Sequence, residues 1–178
     1  MQKKGDVWIS AVLYFGLGLV IITILLAAGL PVINKLKDKN IVIQSKEVMH
    51  TLDESIREVV KEGSGSQRVV TINIKKGSLV IDEANDIVMW AYNNSKVFIS
   101  EPGIPVQEGK LTVLSENSPM KKSYNIQIST NYSGIADVIN SDKGTILVGI
   151  NDLVIRNQGL DTTVTPNKIK IGISQANR

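Results

Sequence analysis

Hydrophobic and polar positions along the chain follow three successive rhythms. From Val7 to Ile33, 27 residues carry no formal charge, and the next charged side chain after Asp6 is Lys35. At about 1.5 Å of rise per residue this run makes a helix of roughly 40 Å, longer than the roughly 30 Å hydrocarbon core of a bilayer. The second rhythm is amphipathic. Ile33, Leu36, Ile41, Ser45, Val48, Leu52, Ile56 and Val59 recur every three to five residues with charged and amide side chains between them, the pattern of a helix with one apolar stripe. Pro31 interrupts the join, so a kink or a short break is expected there.

The third rhythm starts at Arg68 and has period two. Val70, Ile72 and Ile74 alternate with Thr71 and Asn73, and Lys75-Lys76-Gly77 leads into Leu79 and Ile81, which reads as a hairpin. Ile87 to Tyr92 is apolar on both faces and predicts a central strand with Trp90 in the core. Further short strands are expected at Val97–Ile99, Leu111–Leu114, Tyr124–Ile128, Thr145–Val148, Leu153–Ile155 and Ile169–Ile173. Turn clusters separate them, among them Glu101-Pro102-Gly103, Asn117-Ser118-Pro119, Ser141-Asp142-Lys143-Gly144 and Asn157-Gln158-Gly159. Many short strands at such spacing predict a β-sandwich. The fold class is therefore α+β, a long N-terminal transmembrane and amphipathic helix followed by an all-β sandwich-like head. Its parts are an apolar helix over 6–34, an amphipathic stalk over 35–62, a Gly-Ser linker over 63–67 and the head over 68–178.

Charge sharpens this division. Lys3 and Lys4 precede the apolar run, and Lys35, Lys37 and Lys39 follow it, whereas residues 41–178 hold fifteen basic and fifteen acidic side chains. A head of zero net charge lacks the basic face that nucleic acid requires. The absence of cysteine removes disulfides, Fe-S clusters and thiolate zinc sites, leaving core packing to hold the head.

Candidate chemistry is sparse. His50 is the sole histidine and falls beside the apolar stripe, so it reads as a solvated helix residue, and neither a histidine metal cluster nor a Ser-His-Asp triad is available. Asp82, Glu83 and Asp86 crowd a bend with Asn85 and carry oxygens of the kind Ca²⁺ takes, although such residues more commonly cap their own turn. Asn140-Ser141-Asp142-Lys143-Gly144 resembles half of a calcium loop without its distal Glu. No GxxxxGK or GxGxxG sequence occurs. We expect no enzymatic activity, no cofactor and no metal. Asn93-Asn94-Ser95 and Asn131-Tyr132-Ser133 are sequons, which makes Asn93 and Asn131 candidate glycan acceptors if the head is extracellular.

The N-terminus admits three readings. A secretory signal peptide would have an apolar stretch of about 7 to 15 residues before a small-residue site such as Ala27-Ala28-Gly29, and this stretch is longer. A plain transmembrane anchor fits the length. Lys3-Lys4-Gly5-Asp6 ahead of an uninterrupted apolar helix also resembles the class III signal peptide of type IV pilins and archaeal archaellins. That resemblance covers about the first 35 residues and, in architecture only, the remainder. It implies a membrane prepilin peptidase that recognises Lys3 and Lys4, cuts after Gly5 and leaves Asp6 as the new N-terminus, so that 1–5 is a leader peptide. Bacterial-type pilins carry a Glu five residues into the mature chain; here Ser10 stands there, as in archaeal relatives that commonly lack that Glu.

Within the apolar run, Gly16, Val20, Thr23 and Ala27 fall four, three and four residues apart on one helix face, and small residues let helices approach closely. Trp8 reads as an interfacial anchor and Tyr14 as a deeper residue within reach of a partner helix. These features lead to three functional expectations. One is a pilin-like subunit, anchored in membrane lipid, processed, and then packed with copies of itself or related pilins into a cell-surface filament. Another is a monomeric single-span surface protein whose extracellular head serves binding or adhesion. The last is a secreted protein cut after Gly29.

Overall fold

The structure, a computed structural model, describes residues 3–142, 146, 148–161 and 167–176, with side chains from residue 8 onward. A single helix, α1 (Lys3–Glu62), precedes nine strands: β1 (Gln67–Ile74), β2 (Ser78–Asp82), β3 (Ile87–Ser95), β4 (Val106–Glu108), β5 (Leu111–Asn117), β6 (Tyr124–Asn131), β7 (Ala136–Asn140), β8 (Gly149–Asp161) and β9 (Lys168–Gln175). The chain divides into two compact units, Met1–Lys37 and Asp38–Arg178.

The first unit is helix throughout its described residues. The short break expected at Pro31 does not occur, because α1 runs through it and tolerates one missing hydrogen bond within a long helix.

In the second unit, α1 buries Asp38, Val42, Ser45, Met49, Leu52, Ile56 and Val59, alternating steps of four and three that line one helix face. The amphipathic stripe therefore starts at Asp38 rather than Ile33. Ile33 and Leu36 are exposed, Val48 is half-buried, and Val42 and Met49 take places the sequence pattern did not assign. The helix ends at Gly63, whose φ of 92° suits a residue without a side chain.

The strands form two sheets, β1-β8-β9-β7 and β2-β3-β6-β5-β4. The second is antiparallel, and the first is mixed because β7 and β9 run parallel. Alternate residues of both sheets join the stripe of α1 in one buried cluster that includes Val70, Ile72, Trp90, Ile126, Ile128, Leu153, Ile155 and Ile171.

Three local expectations are corrected. Lys75-Lys76-Gly77 joins β1 to β2, yet these strands do not pair: β1 takes β8 and β2 takes β3. The turn is built on Trp90, whose indole nitrogen donates to the Lys76 carbonyl at 2.9 Å, and at Gly77 a Cβ would collide with the Ala91 carbonyl oxygen. Val97–Ile99 is a loop, because the amides of Ile99 and Ser100 donate to the Ser115 hydroxyl at 3.0 and 3.2 Å instead of to a strand. Asn157-Gln158-Gly159 is a bulge inside the long β8, not a turn. Of the strand expected at Thr145–Val148, Thr145 and Leu147 lie outside the described residues, and Ile146 forms an isolated bridge with Leu79.

Register gives the larger sheet two distinct ends. Ser78, Ser95, Asn117 and Tyr124 mark one, and Asp82, Ile87 and Asn131 the other. From Asp38 onward α1 runs from the first toward the second: Asp38 meets Tyr92 and Lys96, whereas Arg57 stacks 5.6 Å from the ring of Tyr132.

Candidate functional site

The apolar segment of α1 is the feature of this chain most in need of a partner. Every large apolar side chain from Trp8 to Leu36 is at least 47% exposed, and Trp8 and Tyr14 reach 76% and 75%. Its most apolar 18-residue window has a mean hydropathy of 2.6 and none of it is buried. Uncovered apolar surface on this scale is unfavourable in water at roughly 25 cal/mol per Å². By length and composition this helix suffices to cross a membrane.

Gly16, Val20, Thr23 and Ala27 lie within about 60° of arc on the segment. All four are exposed, and the Thr23 hydroxyl turns back to donate to the Leu19 carbonyl at 2.8 Å, so it presents its methyl group outward. A Cβ added at Gly16, Gly18 or Gly29 would meet nothing within 4 Å. Lys3, Lys4, Gly5 and Asp6 fall in the first turns of α1, and their side chains lie outside those described.

Both sequon asparagines are exposed. Asn93 opens the bulge near the end of β3, where Asn94 has a φ of 62°. Its partner Ser95 is fully buried, with its hydroxyl donating to the Val97 carbonyl at 2.8 Å. Asn131 sits at the opposite end of the sheet; its side-chain oxygen accepts from the Ser133 amide at 2.8 Å, and Ser133 is exposed.

Among the described residues, three buried carboxylates, Asp38, Asp53 and Asp86, help tie the second unit together. The Asp38 carboxylate, 5% exposed, accepts from the Tyr92 hydroxyl at 2.9 Å and the Lys96 amide at 2.7 Å, with the Lys76 ammonium at 3.9 Å. Burial, followed by the hydrogen bond and charge of Asp38, pushes the Tyr92 hydroxyl up to about 12. Asp53 accepts both contacts of the Arg57 Nε, at 2.8 and 2.9 Å, and the guanidinium covers Tyr132, whose hydroxyl is raised chiefly by burial and then by the charge of Asp53.

The last tie joins the two sheets. Asp86, at φ 54°, accepts from the Lys168 ammonium at 2.7 Å and the Val138 amide at 3.2 Å, and Asp137 adjoins it. Burial works against the charge of Asp86, but Lys168, Asp137 and the Val138 amide outweigh it and hold the group below its usual value. Burial and the neighbouring Asp86 keep Asp137 protonated to higher pH than usual.

The acidic bend expected to offer calcium oxygens spends them otherwise. Asp82 accepts from the Ala84 amide and the Asn85 side chain, Glu83 from the Asn140 amide, and Asp86 from the groups above. Among the described residues no three His, Asp or Glu side chains are grouped to hold a metal ion. His50 is exposed on α1. A cleft of about 270 Å³ lies between α1 at Gln44, Glu47, Val48 and Thr51 and β1 at Thr71, Ile72 and Asn73, with Lys75 just past the end of β1.

The chain finds no match among protein-family models, curated proteins or solved structures. The structural ties at Asp38 and Asp53 escaped the sequence reading, which saw both only as charged residues of the amphipathic helix.

Proposed function

We propose that this chain is a type IV pilin-like structural subunit. It is held in the membrane by Val7–Ile33 before assembly, cut after Gly5 by a prepilin peptidase, and packed through its apolar helix into a cell-surface filament. In this reading the two sheets form a sandwich-like head outside the cell. The observation that carries the proposal is the contrast within α1. From Asp38 onward the helix buries a continuous stripe in the head, while from Trp8 to Leu36 every large apolar side chain is uncovered. Lipid covers such a surface before assembly, and neighbouring copies of the same helix cover it in a filament.

The face Gly16, Val20, Thr23 and Ala27 then sets the distance between helices. A helix alone in lipid gains nothing from small residues on one side, because acyl chains pack around Leu as readily as around Gly, whereas a bundle gains close van der Waals contact. Gly16→Leu combined with Ala27→Leu leaves membrane insertion intact and abolishes assembly. The measurement is paired: membrane-fraction abundance, and filaments or crosslinked oligomers at the cell surface. Equal oligomer yield in parent and variant removes the packing role. Oligomers absent from both favour the monomeric surface protein.

A further inference from the structure

We infer that the end of the head nearest the apolar helix is a docking surface for anionic lipid headgroups. The inference rests on reading Val7–Ile33 as a membrane span. Ile33 precedes Asp38 by five residues, so even a fully extended chain holds Asp38 within about 18 Å of the last apolar residue of the span. Whatever surrounds Asp38 in the second unit is therefore held within chain reach of the lipid surface.

That surrounding is basic. The Lys96 amide and the Lys76 ammonium reach Asp38 itself, and Lys39 follows it on α1. Register brings further cations to the same end. Tyr124 pairs with both Ser95 and Asn117, which places Lys121 and Lys122, in the turn closed by the Ser118 amide on the Ser123 carbonyl, beside the end of β3. Lys39, Lys76, Lys96, Lys121 and Lys122 are all exposed. The acidic groups nearby are few in effect. The oxygens of Asp38 are already engaged by Tyr92, Lys96 and Lys76, leaving Glu101 in the loop and Glu116 at the end of β5. The opposite end carries Asp82, Glu83 and Asp86 together with Lys110 and Lys168, the latter paired with Asp86. The end that holds Asp38 thus has an excess of exposed lysine that the opposite end lacks.

Apolar side chains accompany the cations. Phe98, 54% exposed, stacks edge-on with Tyr124 at 5.2 Å, and Met120, 56% exposed, lies in the lysine turn. Cations around exposed apolar groups are the combination that holds a protein surface at a lipid headgroup layer. A lysine near an anionic membrane surface gains an interaction worth about a fivefold shift in its occupancy there. On this account the head rests on the leaflet before assembly and must leave it when the subunit is drawn into a filament.

The test reconstitutes the intact protein into vesicles of phosphatidylcholine alone and of phosphatidylcholine mixed equally with phosphatidylglycerol. A membrane-impermeant amine reagent then labels the lysines, read by peptide mass spectrometry. Lys110, in the β4–β5 turn at the opposite end, is the internal reference. Lys76, Lys96, Lys121 and Lys122 should label about fivefold more slowly relative to Lys110 on the anionic vesicles, and high salt should erase the difference. Lys121→Glu with Lys122→Glu, both on an exposed turn, should erase the protection of Lys96 at low salt. Unchanged ratios between the two lipids, in protein that floats with both vesicles, overturn the docking surface and leave the span intact. Protein that floats with neither overturns the span and the docking surface together.

Discussion

The side-chain amide of Asn157 donates to the main-chain carbonyl of Val59 at 3.1 Å, joining the bulge of β8 to the last turn of α1. The same residue accepts from the Gly159 amide through its side-chain oxygen at 2.9 Å, while its main chain exchanges hydrogen bonds with Gly65 and Ser66. A helix end leaves carbonyls without intrahelical donors. Val59 satisfies its own with Asn157 and with the Ser66 hydroxyl, 2.8 Å away. The bulge and the helix C-terminus are thus one structure, and the head begins on α1 rather than after it.

Asn157→Ala should cost about 2 kcal/mol in denaturant unfolding, because it removes two hydrogen bonds from a site that is 2% exposed. Ser66→Ala leaves Asn157 on Val59 and should cost about 1 kcal/mol or less. Equal losses would mean that Asn157 adds nothing beyond the serine cap.

The boundary of the folding unit gives a larger effect. A fragment covering 38–178 should be soluble and unfold cooperatively. One starting at Ser66 loses the buried side chains of Val42, Met49, Leu52, Ile56 and Val59. At about 1.5–3 kcal/mol each, their combined contribution is comparable with the whole stability of a domain this size. The shorter fragment should aggregate or show no thermal transition. If its transition matches that of the longer one, the stripe on α1 does not pack on the head.

Tyr92 carries one part of the alkaline pH dependence and Tyr132, also raised, another. The Tyr92 hydroxyl is raised from 10.0 to about 12, by burial first and by Asp38 second, so between these values the folded protein binds a proton that the unfolded chain has lost. Stability present below about pH 10 is therefore lost as pH rises toward 12. Asp38→Asn removes the charge and one acceptor, should cost about 1–2 kcal/mol at neutral pH, and should bring Tyr92 ionisation to lower pH. Tyrosinate absorbance and thermal melts across the window measure both. An unmoved titration would show that burial alone sets the shift.

The chain shows where reading a sequence by period works and where it stops. The uncharged run and the stripe positions Ile41, Ser45, Leu52, Ile56 and Val59 followed from side-chain spacing, and β3, β5, β6 and β9 from alternation, since burial on one face is what creates those patterns. Strand pairing did not follow. Lys75-Lys76-Gly77 has the composition of a hairpin turn, but the choice between β1 pairing with β2 or with β8 is made by Trp90 closing on Lys76 and by contacts some eighty residues away, such as Thr71 with Asp152. β4 is exposed at all three of its positions, and its single apolar residue, Val106, makes no alternating pattern. Asp38 was legible only as a charge, because nothing local says that Tyr92 and the Lys96 amide would meet it.

Processing after Gly5 separates the pilin-like subunit from a plain anchor and from a secreted protein, and the intact mass of the protein extracted from its native membrane measures it directly. The account predicts a chain that lacks Met1–Gly5 and begins at Asp6, with Gly5→Val accumulating as full-length precursor because a larger side chain cannot enter the peptidase site next to the scissile bond. A native chain that retains Met1–Gly5, or one shortened to begin after Gly29, would contradict it.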